Sequence, residues 1–506
     1  MKHSKIILMR TISLTAIFSL VSVGFVFSQE SKLADRLAGL SPYVEKKMEE
    51  WKIPGMAIGV VHNDSVIFLK GFGFRDVEKK LPVTPQTLFG IASISKTFTA
   101  ATVGILYDEG KLYWNSPIID YLPDFRLYDE YATFHATIRD LLSHRTGLSS
   151  YSDLMVDVWP RDREEIYRRL RYLKPSLSFR AWSQYSNVSF IIAGAIVGKL
   201  SGDTWESFVE KRLFKPLGMT HSNFNQQIKN ADDFSYSYEY ENGRFVELPF
   251  RDRPAGNPSG GINSSAAEMV HWLKLHLDNG RFDNRQIISP TSLSVIKNPL
   301  ILNFYSEEKQ WPPTEFASMG WDHQFYSGLH LLSKGGITGF GGYISFMPQE
   351  KIGIILLANR DLGLVLTHYL TYYIYDLLLN IKDFSWDKFI DEERLKYEVS
   401  SEKPSQKAQA RAEKISYPRD EYIGNYEHDA YGKAVVSVED GQLQVNFNQC
   451  FVWPLEYCFQ NVFKTEYDGA TIRFEFSQDT HGKVTSLEIQ IEGTSFKVAY
   501  RRLTGS

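Results

Sequence analysis

The sequence predicts two folded domains of different class: a mixed α/β (α+β) domain over residues 33–381 and a small all-β domain over residues 416–502. A chain of 506 residues is too long for one ordinary core. Helical and strand patterns alternate in the first part. After about residue 416 the pattern changes to short alternating segments separated by turn residues, which is typical of an antiparallel barrel or sandwich.

Two strand hairpins enclose the helical part of the first domain. The first joins residues 56–61 to 66–69 through a turn at 62–64, and the second joins residues 343–347 to 352–358. Between them, Ser265 and Glu268 form a capping-box pattern that predicts a helix to about Leu277. An apolar run over residues 365–379 predicts a further helix packed on the sheet.

The segment from 382 to 415 is charged and contains Pro404, and it is predicted to be a helix end followed by a linker. The second domain has predicted strands at 435–438, 443–445, 472–476, 487–491 and 496–498. Turn signals at 439–441 and 479–482 place these strands at hairpin spacing.

The first 28 residues have the pattern of a signal peptide. Basic residues precede an apolar run from Ile12 to Phe27, and a cleavage site follows near Ser28. The alternative is an uncleaved N-terminal anchor, since the run approaches the length that spans a bilayer. We therefore expect a periplasmic or secreted protein with no stable membrane span after cleavage.

Composition excludes several function classes. The formal net charge is −4, so no basic field would attract nucleic acid. Cys450 and Cys458 are the only cysteines, which argues against a cysteine nucleophile or a thiolate metal site. They either pair in a disulfide or remain two thiols. No cofactor is predicted, and the sequence does not indicate an oligomeric state.

Ser93 and Lys96 form the first candidate catalytic pair. If Ser93 opens a helix, the two side chains share one face, where a lysine of lowered pKa can take the serine proton. The Ser-x-x-Lys pattern alone is weak, since it also begins at Ser294, Ser306, Ser385 and Ser400. Only Ser93 follows a strand-like segment and precedes a clean amphipathic helix.

Two further patterns fit this chemistry. Tyr185 and Asn187 precede a predicted helix over 188–200, and a tyrosine hydroxyl beside a lysine can relay protons. The glycine-rich segment 335–342 leads into a strand. It predicts either a bent edge strand or a backbone that approaches a ligand and lends an N–H to an oxyanion hole.

The order of these three elements resembles that of class C β-lactamases and of related esterases, D-aminopeptidases and penicillin-binding proteins. The resemblance covers roughly residues 40–380 and includes residues 89–100, 141–148, 214–219, 258–265 and 356–360. The second domain is similar to the small lipocalin-like barrel that often follows such hydrolases.

The resemblance implies a role for each site residue. Ser93 would form an acyl-enzyme, Lys96 and Tyr185 would share the acid and base work, and Asn187 would position Lys96 and the substrate. The backbone N–H groups of Ser93 and Gly336 would form the oxyanion hole.

The third motif of the family usually begins with Lys or His, followed by any residue and Gly. Aligning the end of the glycine segment places Ser333 at the cationic position and Lys334 beside it, followed by Gly335. Because neighbouring strand residues face opposite sides, we expect that Lys334 cannot replace the missing cation without a bulge. His323 or His330 is a candidate to compensate, whereas His144 is expected to have a structural role.

Together these features predict an exported serine hydrolase acting on a small-molecule or peptide substrate through an amide or ester bond. The candidates are a D-amino-acid peptide, a peptidoglycan fragment, a β-lactam or a small ester. The alternative is a binding or regulatory protein that retains the fold without turnover, and Ser333 motivates it.

Overall fold

The computed structural model describes residues 32–148, 153–305, 314–382, 384–401, 419–467, 470–492 and 496–503. The predicted signal peptide at 1–28 lies outside these ranges, as does the segment 402–415 of the predicted linker. Among the described residues, no helix combines the length and the apolar character needed to cross a membrane.

The first domain is built on one antiparallel sheet. In chain order its strands are β1 (Gly55–His62), β2 (Ser65–Asp76), β3 (Leu81–Pro82), β4 (Ile301–Tyr305), β5 (Thr314–Ala317), β6 (Asp322–Tyr326), β7 (Leu329–Ile337), β8 (Gly341–Met347) and β9 (Ile352–Ala358). Across the sheet they lie in the order β4-β5-β6-β7-β8-β9-β1-β2-β3. The two predicted hairpins are β1–β2 and β8–β9, and β1 pairs with β9 at the centre.

Helices cover both faces of this sheet. The main ones are α1 (Leu40–Glu50), α2 (Ser95–Asp108), α3 (Leu154–Val158), α4 (Asn187–Ser201), α5 (Ala266–Leu277), α6 (Gly363–Leu379) and α7 (Trp386–Ser401). Shorter helices lie at Ile118–Tyr121, Glu130–His135, Ile138–Leu142, Arg163–Arg169, Trp205–Val209, Lys215–Leu217, Asn257–Gly260 and Pro290–Ile296.

The central strand β1 is buried on both sides, and its alternate residues belong to different cores. Ala57 and Val61 pack with α2 and α5, whereas Ile58 and Val60 pack with α1 and α6. This follows from the two-residue period of a strand. The predicted helix after Ser265 is confirmed as α5, and the Ser265 side chain accepts a hydrogen bond from the Glu268 N–H at 3.2 Å.

Helix α7 occupies residues 386–401 of the segment 382–415, for which the sequence predicts a helix end followed by a linker. Trp386 stacks on Tyr372 with ring centroids 5.1 Å apart. Its indole N–H donates to the Tyr326 hydroxyl at 2.9 Å. Trp386 and Ile390 are both buried, and their four-residue spacing is the helical period that the charged composition concealed.

The second domain is a nearly closed antiparallel barrel, as predicted. Its strands are β10 (Gly424–His428), β11 (Gly432–Glu439), β12 (Gln442–Phe447), β13 (Phe451–Pro454), β14 (Glu456–Phe459), β15 (Val462–Tyr467), β16 (Ala470–Gln478), β17 (Val484–Ile491) and β18 (Lys497–Arg502). Their order is β13-β12-β11-β10-β18-β17-β16-β15-β14. Buried aromatic side chains fill the interior, including Tyr426, Phe474 and Tyr500. Cys450 and Cys458 are exposed free thiols, not a disulfide.

Candidate active site

Ser93 lies in a short 3₁₀ turn, Ala92–Ile94, that leads directly into α2. Ala92 has a φ of +47°, in the left-handed region that non-glycine residues rarely adopt. Such backbone strain is typical of functional turns. The three-residue spacing brings the two side chains together, since Lys96 Nζ lies 3.0 Å from Ser93 Oγ.

Lys96 is fully buried and its ammonium position is fixed by three oxygen atoms. Besides Ser93 Oγ, Nζ donates to Asn187 Oδ1 and to the carbonyl oxygen of Ser259, each at 2.6 Å. Burial, and then the nearby charge of Lys334, lower the pKa of Lys96 well below its ordinary value. The lowered pKa favours the neutral amine, which is the form that can accept a proton from Ser93.

Tyr185 contacts the nucleophile from the other side. Its hydroxyl lies 2.5 Å from Ser93 Oγ. Burial raises the pKa of Tyr185 to about 12, against the opposing charge of Lys334. Tyr185 is therefore a protonated phenol at neutral pH. Its ring packs 4.7 Å from that of His144, whose Nδ1 accepts the Ser186 N–H at 3.2 Å, so His144 has a structural contact rather than a place beside Ser93 Oγ.

Asn187 is held by Asp153, a residue that the sequence analysis did not identify. The Asn187 backbone N–H donates to Asp153 Oδ1 at 2.8 Å, and Asn187 Nδ2 donates to Asp153 Oδ2 at 2.6 Å. This orientation directs the amide oxygen Oδ1 to Lys96. Burial raises the pKa of Asp153 to about 7, against the favourable charge of Lys96.

Lys334, not Ser333, supplies the cation of the third motif, which corrects the predicted alignment. Lys334 Nζ lies 5.5 Å from the centre of the Tyr185 ring and forms an ion pair with Asp322 at 2.9 Å. The Ser333 side chain points to the opposite face, where it hydrogen-bonds Tyr343. Lys334-Gly335-Gly336 therefore fits the Lys-x-Gly pattern directly, with no bulge.

The strand register gives the direction of the N–H of Gly336, the second predicted oxyanion-hole donor. The Thr338 N–H donates to the Phe340 carbonyl, and hydrogen-bonded residues alternate along an antiparallel pair, so the Gly336 N–H points to β8. The N–H of Ile337 points to the opposite edge of β7. Gly336 is needed for close approach, since a Cβ there would lie 2.9 Å from the Ser93 nitrogen.

The two candidate histidines are not needed to compensate for Ser333. His323 Nδ1 and His330 Nε2 hydrogen-bond each other at 2.9 Å, and Lys334 occupies the cationic position. Among the described residues, no cluster of three or more His, Cys, Asp and Glu side chains has the arrangement of a metal site.

The sequence profile of the family described as Beta-lactamase matches residues 40–379. The chain belongs to the Beta-lactamase family. The protein is a serine hydrolase. A second profile, described as a domain of unknown function (DUF3471), matches residues 408–506.

Curated relatives carry hydrolase and other names. The chain is 28% identical over 417 residues to unguisins hydrolase ungD' of Aspergillus campestris, which covers 78% of this chain and 76% of the relative. It is 26% identical over 329 residues to protein flp of Staphylococcus aureus, covering 63% of this chain and 62% of the relative.

Solved structures show the same fold. An octameric penicillin-binding protein homologue from Pyrococcus abyssi superposes with a TM-score of 0.59 at 24% identity, covering 92% of this chain and all of that one. A class C β-lactamase superposes with a TM-score of 0.56 at 21% identity, covering 70% of this chain and 98% of that one.

Proposed function

We propose that the protein hydrolyses an amide or ester through an acyl-enzyme on Ser93. One observation carries this proposal: Ser93 Oγ lies within hydrogen-bond reach of both Lys96 Nζ, at 3.0 Å, and the Tyr185 hydroxyl, at 2.5 Å. A nucleophile placed between a base and a proton donor is the arrangement that acyl transfer requires.

The pKa directions divide the proton transfers between the two groups. Lys96, with its lowered pKa, takes the Ser93 hydroxyl proton as Oγ attacks the substrate carbonyl. Tyr185, with a pKa of about 12, gives its proton to the leaving nitrogen or oxygen and is reprotonated from Lys96. Water then attacks the acyl carbon, the bond from this carbon to Ser93 Oγ breaks, and one proton of the water is passed to Oγ. The acid product leaves and the Ser93 hydroxyl is restored.

The oxyanion of each tetrahedral intermediate would lie between the backbone N–H groups of Ser93 and Ile337. Both donors are main-chain groups on elements fixed by the core, so they need little reorganisation during the reaction. The close approach of Gly336 to the Ser93 nitrogen keeps these donors near each other.

The ion pair beside the site indicates the charge of the substrate. Lys334 is already neutralised by Asp322 at 2.9 Å, and Glu315, with a pKa raised by burial to about 7, lies near the same pair. A free substrate carboxylate at this position would meet acidic side chains instead of an unpaired cation. The site therefore favours neutral amides and esters, so that among the predicted candidates a small neutral ester or amide fits better than a β-lactam or a peptide with a free carboxylate beside the scissile bond.

Modification by a fluorophosphonate tests this function. The full-length protein is treated with the probe, its intact mass is measured and the modified peptide is mapped. We expect one adduct, on Ser93, which is absent in the Lys96→Ala variant. Nitrocefin and p-nitrophenyl esters then identify the leaving groups that are accepted. A folded protein that forms no adduct on Ser93 would contradict the hydrolase mechanism and favour the binding-protein alternative.

We also propose that the protein is exported, on the basis of residues 1–28. Their basic start, apolar run and polar end are the features that a signal peptidase recognises. Expression with the native N-terminus followed by N-terminal sequencing of the secreted or periplasmic fraction tests this. A mature N-terminus near Gln29 supports export with cleavage, whereas an intact Met1 in the membrane fraction supports the anchor, and an intact Met1 in the cytosol contradicts export.

A further inference from the structure

A turn of the C-terminal barrel, residues 428–432 between β10 and β11, contacts the first domain close to the active site. Trp159 Nε1 donates to the Ala430 carbonyl at 3.2 Å. Asn448 Nδ2, from the β12–β13 turn, donates to the Val158 carbonyl at 3.0 Å and to the Tyr431 carbonyl at 2.9 Å. These contacts hold the C-terminal end of helix α3.

Two further features tighten the same contact. The Arg169 guanidinium donates to the Asp429 carbonyl at 2.7 Å and lies 4.5 Å from the Trp159 ring. Gly432 has a φ of +77°, and a Cβ there would clash with the Asn448 side chain and lie 2.8 Å from the Trp159 ring. The turn therefore fits against Trp159 only while residue 432 is glycine.

The opposite end of α3 begins at Asp153, which orients Asn187 against Lys96. The helix has only five residues, so its two ends are less than about 10 Å apart at 1.5 Å per residue. Tyr431 is buried in the contact, and burial followed by the nearby carboxylate of Asp153 raises its pKa. The barrel therefore reaches the region of Asp153 as well as the end of the helix.

We propose that the 428–432 turn of the barrel is a positioning element for the active site: it holds α3 so that Asp153 orients Asn187 and Lys96. The first domain also restrains this helix, through an ion pair of 2.7 Å between Arg253 and Asp157. The barrel therefore adjusts the position of α3 and is not the only part of the protein that holds it. This inference rests on the proposed function, because Lys96 is the base of that mechanism.

The test compares two glycines of the barrel that share a left-handed backbone. Gly432→Ala places a methyl group against Trp159, whereas Gly482→Ala, with a φ of +79° and open space around its Cβ position, adds the same strain without that contact. Trp159→Phe removes the indole donor from the other side of the interface, so misfolding of the barrel cannot explain its effect. The measurements are hydrogen exchange of residues 153–159 and the rate of Ser93 modification by a fluorophosphonate against pH.

We expect Gly432→Ala and Trp159→Phe to accelerate exchange in 153–159 and to slow modification by about 3–10-fold, with Gly482→Ala unchanged. Displacing Asp153 also removes a charge that raises the pKa of Lys96, so the acid limb of the rate profile moves to lower pH. A merely structural contact would not move this limb.

The positioning role would be overturned if Gly432→Ala and Trp159→Phe both kept the wild-type rate of Ser93 modification and the wild-type pH dependence on the acid side. It would also be overturned if hydrogen exchange of residues 153–159 in these variants equalled that of the wild-type protein. If wild-type Ser93 is not modified at all, the proposed function fails. The exchange measurement then decides separately whether the barrel restrains α3.

Discussion

In two copies of the Ser-x-x-Lys pattern the lysine is fully or partly buried in the first domain, yet the surroundings of the two lysines differ. At the first, Lys96 Nζ points to Ser93 Oγ at 3.0 Å. At the second, Ser294 is exposed on the helix Pro290–Ile296, and Lys297 Nζ points instead to the His276 carbonyl at 2.9 Å. Burial lowers the pKa of Lys297 to about 7 and also lowers that of Lys96, so it favours the neutral amine at both positions.

The difference shows that burial favours the neutral amine of a lysine but does not by itself make that lysine a catalytic base. Lys96 faces a hydroxyl that is also held by Tyr185, in a turn next to the Gly336 strand. Lys297 faces a carbonyl oxygen and the Phe346 ring, 5.0 Å away, and neither can be activated as a nucleophile. The substitutions below test this contrast.

The largest effect is expected from the two serines. Ser93→Ala removes the nucleophile, and hydrolysis should fall by at least about 10⁴-fold, as for other catalytic serines. Ser294→Ala should retain the wild-type rate because its hydroxyl lies at the surface. Steady-state hydrolysis of a p-nitrophenyl ester measures both, and residual activity of Ser93→Ala within tenfold of wild type would identify another nucleophile.

The two lysines should separate catalysis from stability. Lys96→Met removes the base and should lower the rate by about 10²–10⁴-fold. Lys297→Met should leave the rate unchanged. Single-turnover acylation measures this, and equal losses in the two variants would contradict the distinction between the two sites.

Lys297 should instead affect the pH dependence of the free energy of unfolding. Its pKa is about 7 in the folded protein and 10.5 for the free side chain, so the unfolded chain binds more protons between these values. Stability from this group therefore rises with pH across that window and is lost as pH falls towards 7. Urea unfolding at several pH values should show a smaller rise for Lys297→Met, and an unchanged slope would contradict the lowered pKa.

Two charges near Lys96 should move its titration in opposite directions. Lys334 lowers the pKa of Lys96 and Asp153 raises it. Lys334→Gln should therefore move the acid limb of kcat/KM to higher pH, and Asp153→Asn should move it to lower pH. Rate profiles of both variants on one neutral ester measure this, and shifts of the same sign would exclude Lys96 as the titrating base.

The smallest effect concerns substrate charge. Asp322→Asn leaves Lys334 without its 2.9 Å partner, so an ester with a free carboxylate should gain about 3–10-fold in kcat/KM relative to its neutral analogue. The measurement is the ratio of kcat/KM for p-nitrophenyl hemisuccinate to kcat/KM for p-nitrophenyl butyrate. Any effect of the substitution that is common to both esters cancels in this ratio. A ratio that does not rise would contradict the proposed preference for neutral substrates.

Sequence reasoning identified the residues that belong to contiguous motifs. Ser93 and Lys96 are three positions apart, and Tyr185 and Asn187 two apart, so local geometry fixes each pair. Hairpin spacing and helix caps likewise predicted the central strands, α5 and the barrel. The order of the motifs along the chain then indicated that the pairs meet.

Other parts of the site depend on tertiary structure. The sequence alignment places Lys334 on the wrong face of the strand because it starts from the residues after the glycine turn at 338–340. The length of such a turn can vary, so counting residues back across it does not give the strand register. Asp153 has no motif of its own and becomes recognisable only when α3 is placed beside Asn187. The contact of the barrel with Trp159 joins positions 271 residues apart, beyond any local pattern.

Helix α7 changes where the first domain can be separated from the rest of the chain. The Beta-lactamase match ends at 379, but Trp386 completes an aromatic cluster with Tyr326 and Tyr372, and Lys47 in α1 forms an ion pair with Asp391 at 2.5 Å. A fragment ending at 381 would leave a cavity the size of an indole, and the buried Lys47 would keep Glu50 but lose Asp387 and Asp391, two of its three carboxylate partners. A fragment of the first domain therefore has to extend beyond Asp391 to keep these contacts.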